Sequence, residues 1–322
     1  MVAMAIDEIL SREGSVHWPA LPWDEWQDTC VTLQMWLQIV GKVKLELSAF
    51  LNEWWQVTFF VSARGLASGA IPYERGVLDA EFNFLEHNLH LRTSDGGHKA
   101  LPLMPRSVAG FYAEVMAALG ALGVRVTINP VPCEVPSPIR CDENEVDASY
   151  DPEYVQRWWR ILVGVDRILR RFRSPFVGKS SPVQFFWGSF DLSHSRFSGR
   201  PATPPAGAPR FMQLAEDQEN FTCGFWPGNF NMAGRALGQP AFFAYSYPEP
   251  AGLKDAAVRP NGASYDAGFG EFLLPYQEVR RADSPDEAIL DFFQSTYEAA
   301  ATLAGWDRAS LEHDYSDVTI QT

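Results

Sequence analysis

Residues 36–45 read WLQIVGKVKL, and residues 159–168 read WRILVGVDRI. Trp, Val and Gly coincide at Trp36/Trp159, Val40/Val163 and Gly41/Gly164. Lys44/Arg167 and Leu45/Ile168 match in kind. Apolar residues recur at helical spacing in both: Leu33, Trp36, Leu37 and Val40 in one, Val155, Trp158, Trp159, Leu162, Val165 and Leu169 in the other. Two amphipathic helices can share such a pattern by chance. A duplication is the alternative, and it would repeat the strands after each helix as well.

The echo does continue. VTFF at 57–60 answers VQFF at 183–186, and both read as short buried strands. Residues 80–103 read as three strands parted by turns at His87–Asn88 and Ser94–Gly97. In the second half, PAFFAYSYPEP (240–250) and GEFLLPY (270–276) supply strands. Each half then closes with a helix. The first starts at Ser107, continues through Phe111, Val115 and Leu119, and stops at Gly123. The second opens with Ser284 as cap, Pro285 in the first turn and Glu287 at the capping-box position. Asp151 and Pro152 start the helix of WRILVGVDRI in a similar way.

These signals predict an α+β fold of two tandem related α-β-β-β-α units, with antiparallel sheets and helices packed on one face. The units span residues 30–128 and 152–306. An arm (1–29) precedes them and an acidic tail (307–322) ends the chain. The join, residues 129–151, is acidic and stiffened by four prolines between 130 and 138. The second unit carries an insertion over 197–240, rich in Gly and Pro and containing CGFWPGN. A long irregular excursion in a compact domain is usually a functional loop or a disordered one.

Composition narrows the partners. The chain has 322 residues, 46% hydrophobic and 20% charged, enough to bury a core without a disulfide or metal. Its net charge of −14 repels phosphate backbones and anionic bilayers, so neither nucleic acid nor a membrane is expected as partner. The first ten residues lack a basic stretch and a long apolar run, so no signal peptide is read there. Cys30, Cys133, Cys141 and Cys223 are too sparse for a disulfide scaffold and read as free thiols of a reducing cytoplasm. With 11 Trp and 22 Phe, aromatic rings are numerous enough to line a cleft as well as the core. VGKSS at 177–181 is not a phosphate loop, because Arg173 stands where the first glycine belongs and the segment precedes a strand.

SPVQFFWGSFDLSHSRFSGRP, residues 181–201, is the densest segment. It is either a decorated core strand or the floor of a site. As one strand, Val183, Phe185, Trp187, Ser189 and Asp191 share a face. Gly188 signals a bulge or a close approach, and a bulge would bring Gln184 and Asp191 to one side. Core strands seldom carry so many polar groups, since each needs a buried partner.

SPVQFFWGSFDL, GFWPG, YPEP, GEFLLPY and WPALPWDEW together resemble an uncharacterised bacterial family of unknown function, over residues 17 to about 308. In that family's pattern the positions of Gln184 and Gln218 commonly carry His, with an acidic residue at Glu219. Such a trio resembles a metal facial triad. Glutamine binds a transition metal poorly, so the expectation is that no metal and no cofactor is held here.

The expected function is binding of a small molecule, with catalysis as a further capacity, by a cytoplasmic monomer or homodimer. A non-catalytic interaction or scaffold protein is the alternative. The site would lie in the second unit. Asp191, Glu219 and Glu271 are the candidate acid–base residues. Gln184, Trp187, His194, Arg196, Gln218, Trp226 and Tyr245 are the candidate ligand-binding residues, with Trp226 as a lid and Arg196 as an anion clamp.

Overall fold

The structure, a computed structural model, describes residues 18–204, 206–229 and 234–314. Most of the arm and of the acidic tail therefore lies outside the described residues. Helix α1 (Trp23–Leu47) opens the fold, with Asp24 and Glu25 in its first turn and Lys44 in its last. Both charges suit the helix dipole. Nearly every residue from Thr29 to Lys44 is buried, as expected of a helix apolar on most sides.

A 3-10 turn (Asn52–Val57) leads into β1 (Phe60–Val61), β2 (Gly65–Ala67), β3 (Ile71–Tyr73), β4 (Gly76–Asn83), β5 (Asn88–Thr93) and β6 (His98–Pro102). Helix α2 (Val108–Ala121) closes this half, and Ser107 caps it by accepting from the Gly110 N–H. Helix α3 (Pro152–Arg173) opens the second half. Asp151 accepts from the Glu153 and Tyr154 N–H groups, and Pro152 sits in the first turn. Then come β7 (Gln184–Phe186), β8 (Asp191–Pro201), α4 (Arg210–Ala215), β9 (Gln218–Trp226) and β10 (Ala241–Tyr247). The chain ends with β11 (Ser264–Asp266), β12 (Glu271–Pro275), α5 (Tyr276–Arg281), α6 (Pro285–Leu303) and α7 (Arg308–Leu311).

The fold is mixed α+β with two antiparallel sheets. One has the order β1-β2-β4-β5-β6, with β3 also on β4; the other has the order β11-β12-β10-β9-β8-β7. Phe59 and Phe185 exchange backbone hydrogen bonds of 2.9 and 2.8 Å, which join the two sheets at the β1 and β7 edges. In the first sheet, Leu78, Ala80, Phe82, Leu89 and Leu91 fill the buried face. In the second, α3 and α6 cover one face: Phe172 meets Phe221, and Phe293 meets Phe242. No helix among the described residues is long and apolar enough to cross a membrane.

Four expectations change. Residues 183–191 are not one strand: β7 ends at Phe186, residues 187–190 turn with Phe190 at φ +66°, and β8 starts at Asp191. The 197–240 stretch is not one excursion, because β8 runs on to Pro201 and β9 lies inside the sheet between β8 and β10. Ser284 holds the cap position of α6 but makes no side-chain capping bond. Trp36 and Trp159 do not share surroundings. Trp36 stacks on Phe111 and Tyr150, whereas the Trp159 N–H points to the Ser62 carbonyl.

The proline-rich join is packed rather than free. Cys141, Asn144 and Tyr150 are buried, and the carbonyls of Asp147 and Asn144 accept from the Val108 and Ala109 N–H groups at the start of α2.

Candidate functional site

Strand alternation decides what the second sheet offers on its two faces. Along β8, Leu192, His194 and Arg196 point to the helices. Asp191, Ser193, Ser195 and Phe197 line a cavity of about 540 Å³ on the other face. Asn220, Thr222 and Trp226 of β9, Phe243 and Tyr245 of β10, and Glu271 of β12 continue the floor. Trp54 and Trp55 of the 3-10 turn, Phe211 and Met212 of α4, Glu134 of the join and the turn Trp187–Ser189 build the walls.

Helix α1 holds these walls by a stripe of polar residues spaced four apart. Gln34 donates to the Gly188 carbonyl at 2.7 Å and accepts from Asn229 at 2.9 Å. Gln38 donates to the Cys133 carbonyl and accepts from its N–H, both at 2.9 Å. Lys42, one turn on, lines the cavity with its ammonium 5.9 Å from the Trp187 ring centroid. At Gly41, a Cβ would strike the Trp187 indole, so the helix and the turn meet at closest approach there. Trp187 also donates to the Val57 carbonyl at 2.8 Å, tying the turn to the opposite wall.

Strain collects around this cavity. Glu53 and Trp54 stand at φ +50° and +61°, and Glu134 at +58°, all left-handed positions that non-glycine residues seldom adopt. Each such position costs about 1–3 kcal/mol and persists only where the surroundings enforce it, and such residues cluster at functional sites.

The cavity is acidic. Glu53, Glu134, Asp191, Glu216 and Glu271 line it, and Lys42 is the basic residue among the lining side chains described. Glu53 pairs with Lys179 at 2.6 Å. Glu216 accepts from Asn220 at 2.7 Å, and Asp191 from the Ser189 hydroxyl. Burial raises the Asp191 carboxyl to about 6 and Glu216 to about 7. Burial and the Asp191 charge raise Glu134 to about 7 and Glu271 to about 8. Burial also raises the Tyr245 phenol. Among the described residues, no group of three or more His, Cys, Asp or Glu side chains is placed to hold a metal ion. The carboxyls are spread around the walls, not gathered at a point.

Of the residues singled out in the sequence, Asp191, Glu271, Trp187, Trp226 and Tyr245 line this cavity. Trp226 is no lid: it ends β9 in the floor, edge-on to Phe269. Arg196 is no anion clamp at the cavity. It lies on the helix face, 3.5 Å from the Phe172 ring centroid, and donates to the Phe172 carbonyl. His194 lies on that face too, its Nδ1 3.0 Å from the Ser181 carbonyl. Burial, then Arg196 and Arg173, lower its pKa to about 3, so it is neutral. Glu219 pairs with Arg200 at the sheet's end, away from the cavity. Gln184 accepts from the Thr58 hydroxyl at 3.1 Å, and Gln218 accepts from Lys179 at 3.0 Å. They stand across β8 from Ser193 and Pro201, whose β9 partners Gly224 and Gln218 lie six residues or roughly 20 Å apart along the strand, so they form no common site.

Glu53, Glu134, Glu216 and Lys42 were not anticipated. One signal was available for Lys42: Gln34, Gln38 and Lys42 repeat at i, i+4 and i+8 inside an otherwise apolar helix.

Fold and cavity together define an α+β protein whose second sheet keeps one face for the core and the other for an acidic, aromatic-walled pocket. The chain belongs to DUF5996, a family of unknown function, whose model matches residues 18–313. No curated protein and no solved structure matches the chain.

Proposed function

We propose that the protein binds a small organic molecule in this cavity. The supporting observation is a concave site of about 540 Å³ with aromatic walls and polar groups converging from four adjacent strands. That size and lining are typical of small-molecule sites. Ser195 is only partly buried and sits in the floor with its hydroxyl 2.8 Å from that of Thr222. Ser195→Leu would fill the cavity from below. Native mass spectrometry of the protein as purified tests the reading. A small-molecule adduct on the wild type that is absent from folded Ser195→Leu is expected. An adduct equally present on both overturns the assignment of the site.

Acid–base catalysis on the bound molecule is the second reading. It is favoured by Glu134 and Glu271, which burial and then the Asp191 charge raise toward neutral pH, where a carboxyl can both give and take a proton. A scaffold role is the remaining alternative, and a contiguous exposed apolar patch would be its mark; Phe50 and Leu51 are half exposed side by side.

We also infer a cytoplasmic protein, because its four cysteines are free thiols, as a reducing compartment keeps them. It acts as a monomer or homodimer without nucleic acid or membrane partners, in keeping with its charge of −14. Gene duplication remains our account of the two units, supported by their shared order of helix, strands and helix.

A further inference from the structure

We propose that the molecule held in this cavity is an organic cation, an ammonium group on an apolar frame. The inference rests on the reading of the cavity as a small-molecule site and names its ligand class. It starts from an inventory of charge. Glu53 has Lys179, Glu216 has Asn220, and Asp191 has Ser189. Glu134 and Glu271 have no hydrogen-bond or ion-pair partner among the described residues, and both stand half-buried in the cavity walls. A partly desolvated carboxyl without a partner is disfavoured in its charged form, and a bound cation would supply that partner.

The walls add a second, independent argument. Trp54, Trp55, Trp187, Trp226, Tyr245 and Phe269 present aromatic rings to the same space. Aromatic faces attract ammonium groups, most of all where water is excluded. The protein already uses this chemistry around the cavity, most fully at Lys179. The Lys179 ammonium sits 4.3 Å from the Phe197 ring centroid and 5.5 Å from that of Trp55. It is neutralised there by Glu53 and donates to Gln218. Glu134 and Glu271 offer carboxyls beside further rings: Trp226, Trp187, which the Lys42 ammonium approaches to 5.9 Å, and Phe269, whose other neighbour is the Arg235 guanidinium at 4.0 Å.

The alternatives are weaker. The carboxyls are too dispersed to chelate a metal ion. An anionic ligand would meet five acids and one lining lysine. A neutral ligand would leave the two unpartnered acids as they are. The net charge of −14 further enriches cations near the protein.

The test is a charge series of matched shape: benzylamine, benzyl alcohol and benzoate, with choline and its neutral isostere 3,3-dimethylbutan-1-ol. Affinities are measured by titration calorimetry on the full chain at pH 7.5. The expected order is amine, then alcohol, then benzoate, with each cation at least about tenfold tighter than its neutral partner. Glu134→Gln and Glu271→Gln keep the side-chain shape, and each should remove most of that advantage while leaving the alcohols unchanged. Equal or tighter binding of the alcohols or of benzoate, abolished by Ser195→Leu, overturns the cation and keeps the small-molecule site. Absence of binding by every member of the series overturns both readings.

Discussion

Along β8, neighbouring side chains meet opposite surroundings. His194 and Arg196 look into the core, Asp191, Ser193 and Ser195 into the cavity. Both faces bury polar groups. On the core face the protein supplies the partners: the Ser181 carbonyl for His194, the Phe172 carbonyl and the rings of Phe172 and Tyr297 for Arg196. His194 Nε2 and Arg196 Nε lack acceptors, yet both lie among aromatic rings that exclude water. On the cavity face the half-buried carboxyls of Glu134 and Glu271 have no partner among the described residues. Unpartnered atoms closed in by rings belong to the core, whereas unpartnered carboxyls that border a cavity are open to a second molecule.

The largest effect expected from breaking this division is on the core face. Arg196→Ala removes a fully enclosed side chain that packs on three rings. It should lower stability by about 3 kcal/mol in urea titration. Benzylamine affinity of the folded fraction should stay unchanged. Loss of that affinity to the extent seen with Glu134→Gln would erase the distinction between the faces.

A somewhat smaller effect should appear with pH. Glu134, Glu216 and Glu271 have folded pKa values of about 7, 7 and 8, raised from 4.5 by burial. The stability of such groups is complete below the unfolded value and is lost as pH rises through the folded ones. His194 runs the other way: its pKa falls from 6.5 to about 3, so its contribution is lost as pH falls below 6.5. Above pH 6.5 the acids dominate, opposed near pH 8 by Lys44, whose pKa burial lowers from 10.5 to about 8 so that its contribution grows as pH rises. From about pH 6.5 to pH 8 the free protein should lose on the order of 2–3 kcal/mol of stability. Saturating benzylamine should flatten the slope, since a bound cation favours the ionised acids. A free protein whose stability is level across that window would mean that its acids are already compensated.

Asp191→Asn sharpens the contrast within one strand. The side chain is buried at 8% exposure, and its shape is kept. Stability near neutral pH should stay within about 1 kcal/mol of the wild type. Benzylamine affinity should fall severalfold. Greater loss of stability with unaltered affinity would make Asp191 a cap of its own turn.

Much of this layout is legible in the sequence. Asp151–Pro152 and Ser107 mark helix starts, and the turn at Ser94–Gly97 and the strand at 241–247 stand where their residues place them. Trp187, Asp191, Trp226, Tyr245 and Glu271 belong to the strands and turn that frame the cavity. His194 and Arg196 read as site residues only because nothing in the sequence shows that a strand starts at Asp191 and runs on past them. It runs eleven residues, and alternation carries both to the far face. Glu53 and Glu134 escaped for another reason. They stand at left-handed positions in irregular segments, where no period relates sequence to facing. The prolines around Glu134 read as a spacer, and only the bonds from Gln38 to Cys133 show that the segment is a wall.

The smallest expected effect is at Gly188, and it separates the wall from the fold. Gly188 carries no side chain where the Glu134 carboxyl passes over the turn, and a Cβ there would meet Glu134 Oε1. Its backbone lies outside the left-handed region, so alanine is conformationally acceptable. The atom it would displace is the far end of a flexible side chain. Gly188→Ala should therefore change stability by less than about 1 kcal/mol. The Gln34 bond to the Gly188 carbonyl involves only backbone on this side and should survive. What moves is Glu134, and with it the cation preference. Benzylamine should lose affinity relative to benzyl alcohol, approaching the ratio of Glu134→Gln. If the ratio stays at the wild-type value in a folded Gly188→Ala protein, the position of Glu134 over this turn has no part in recognising the ligand.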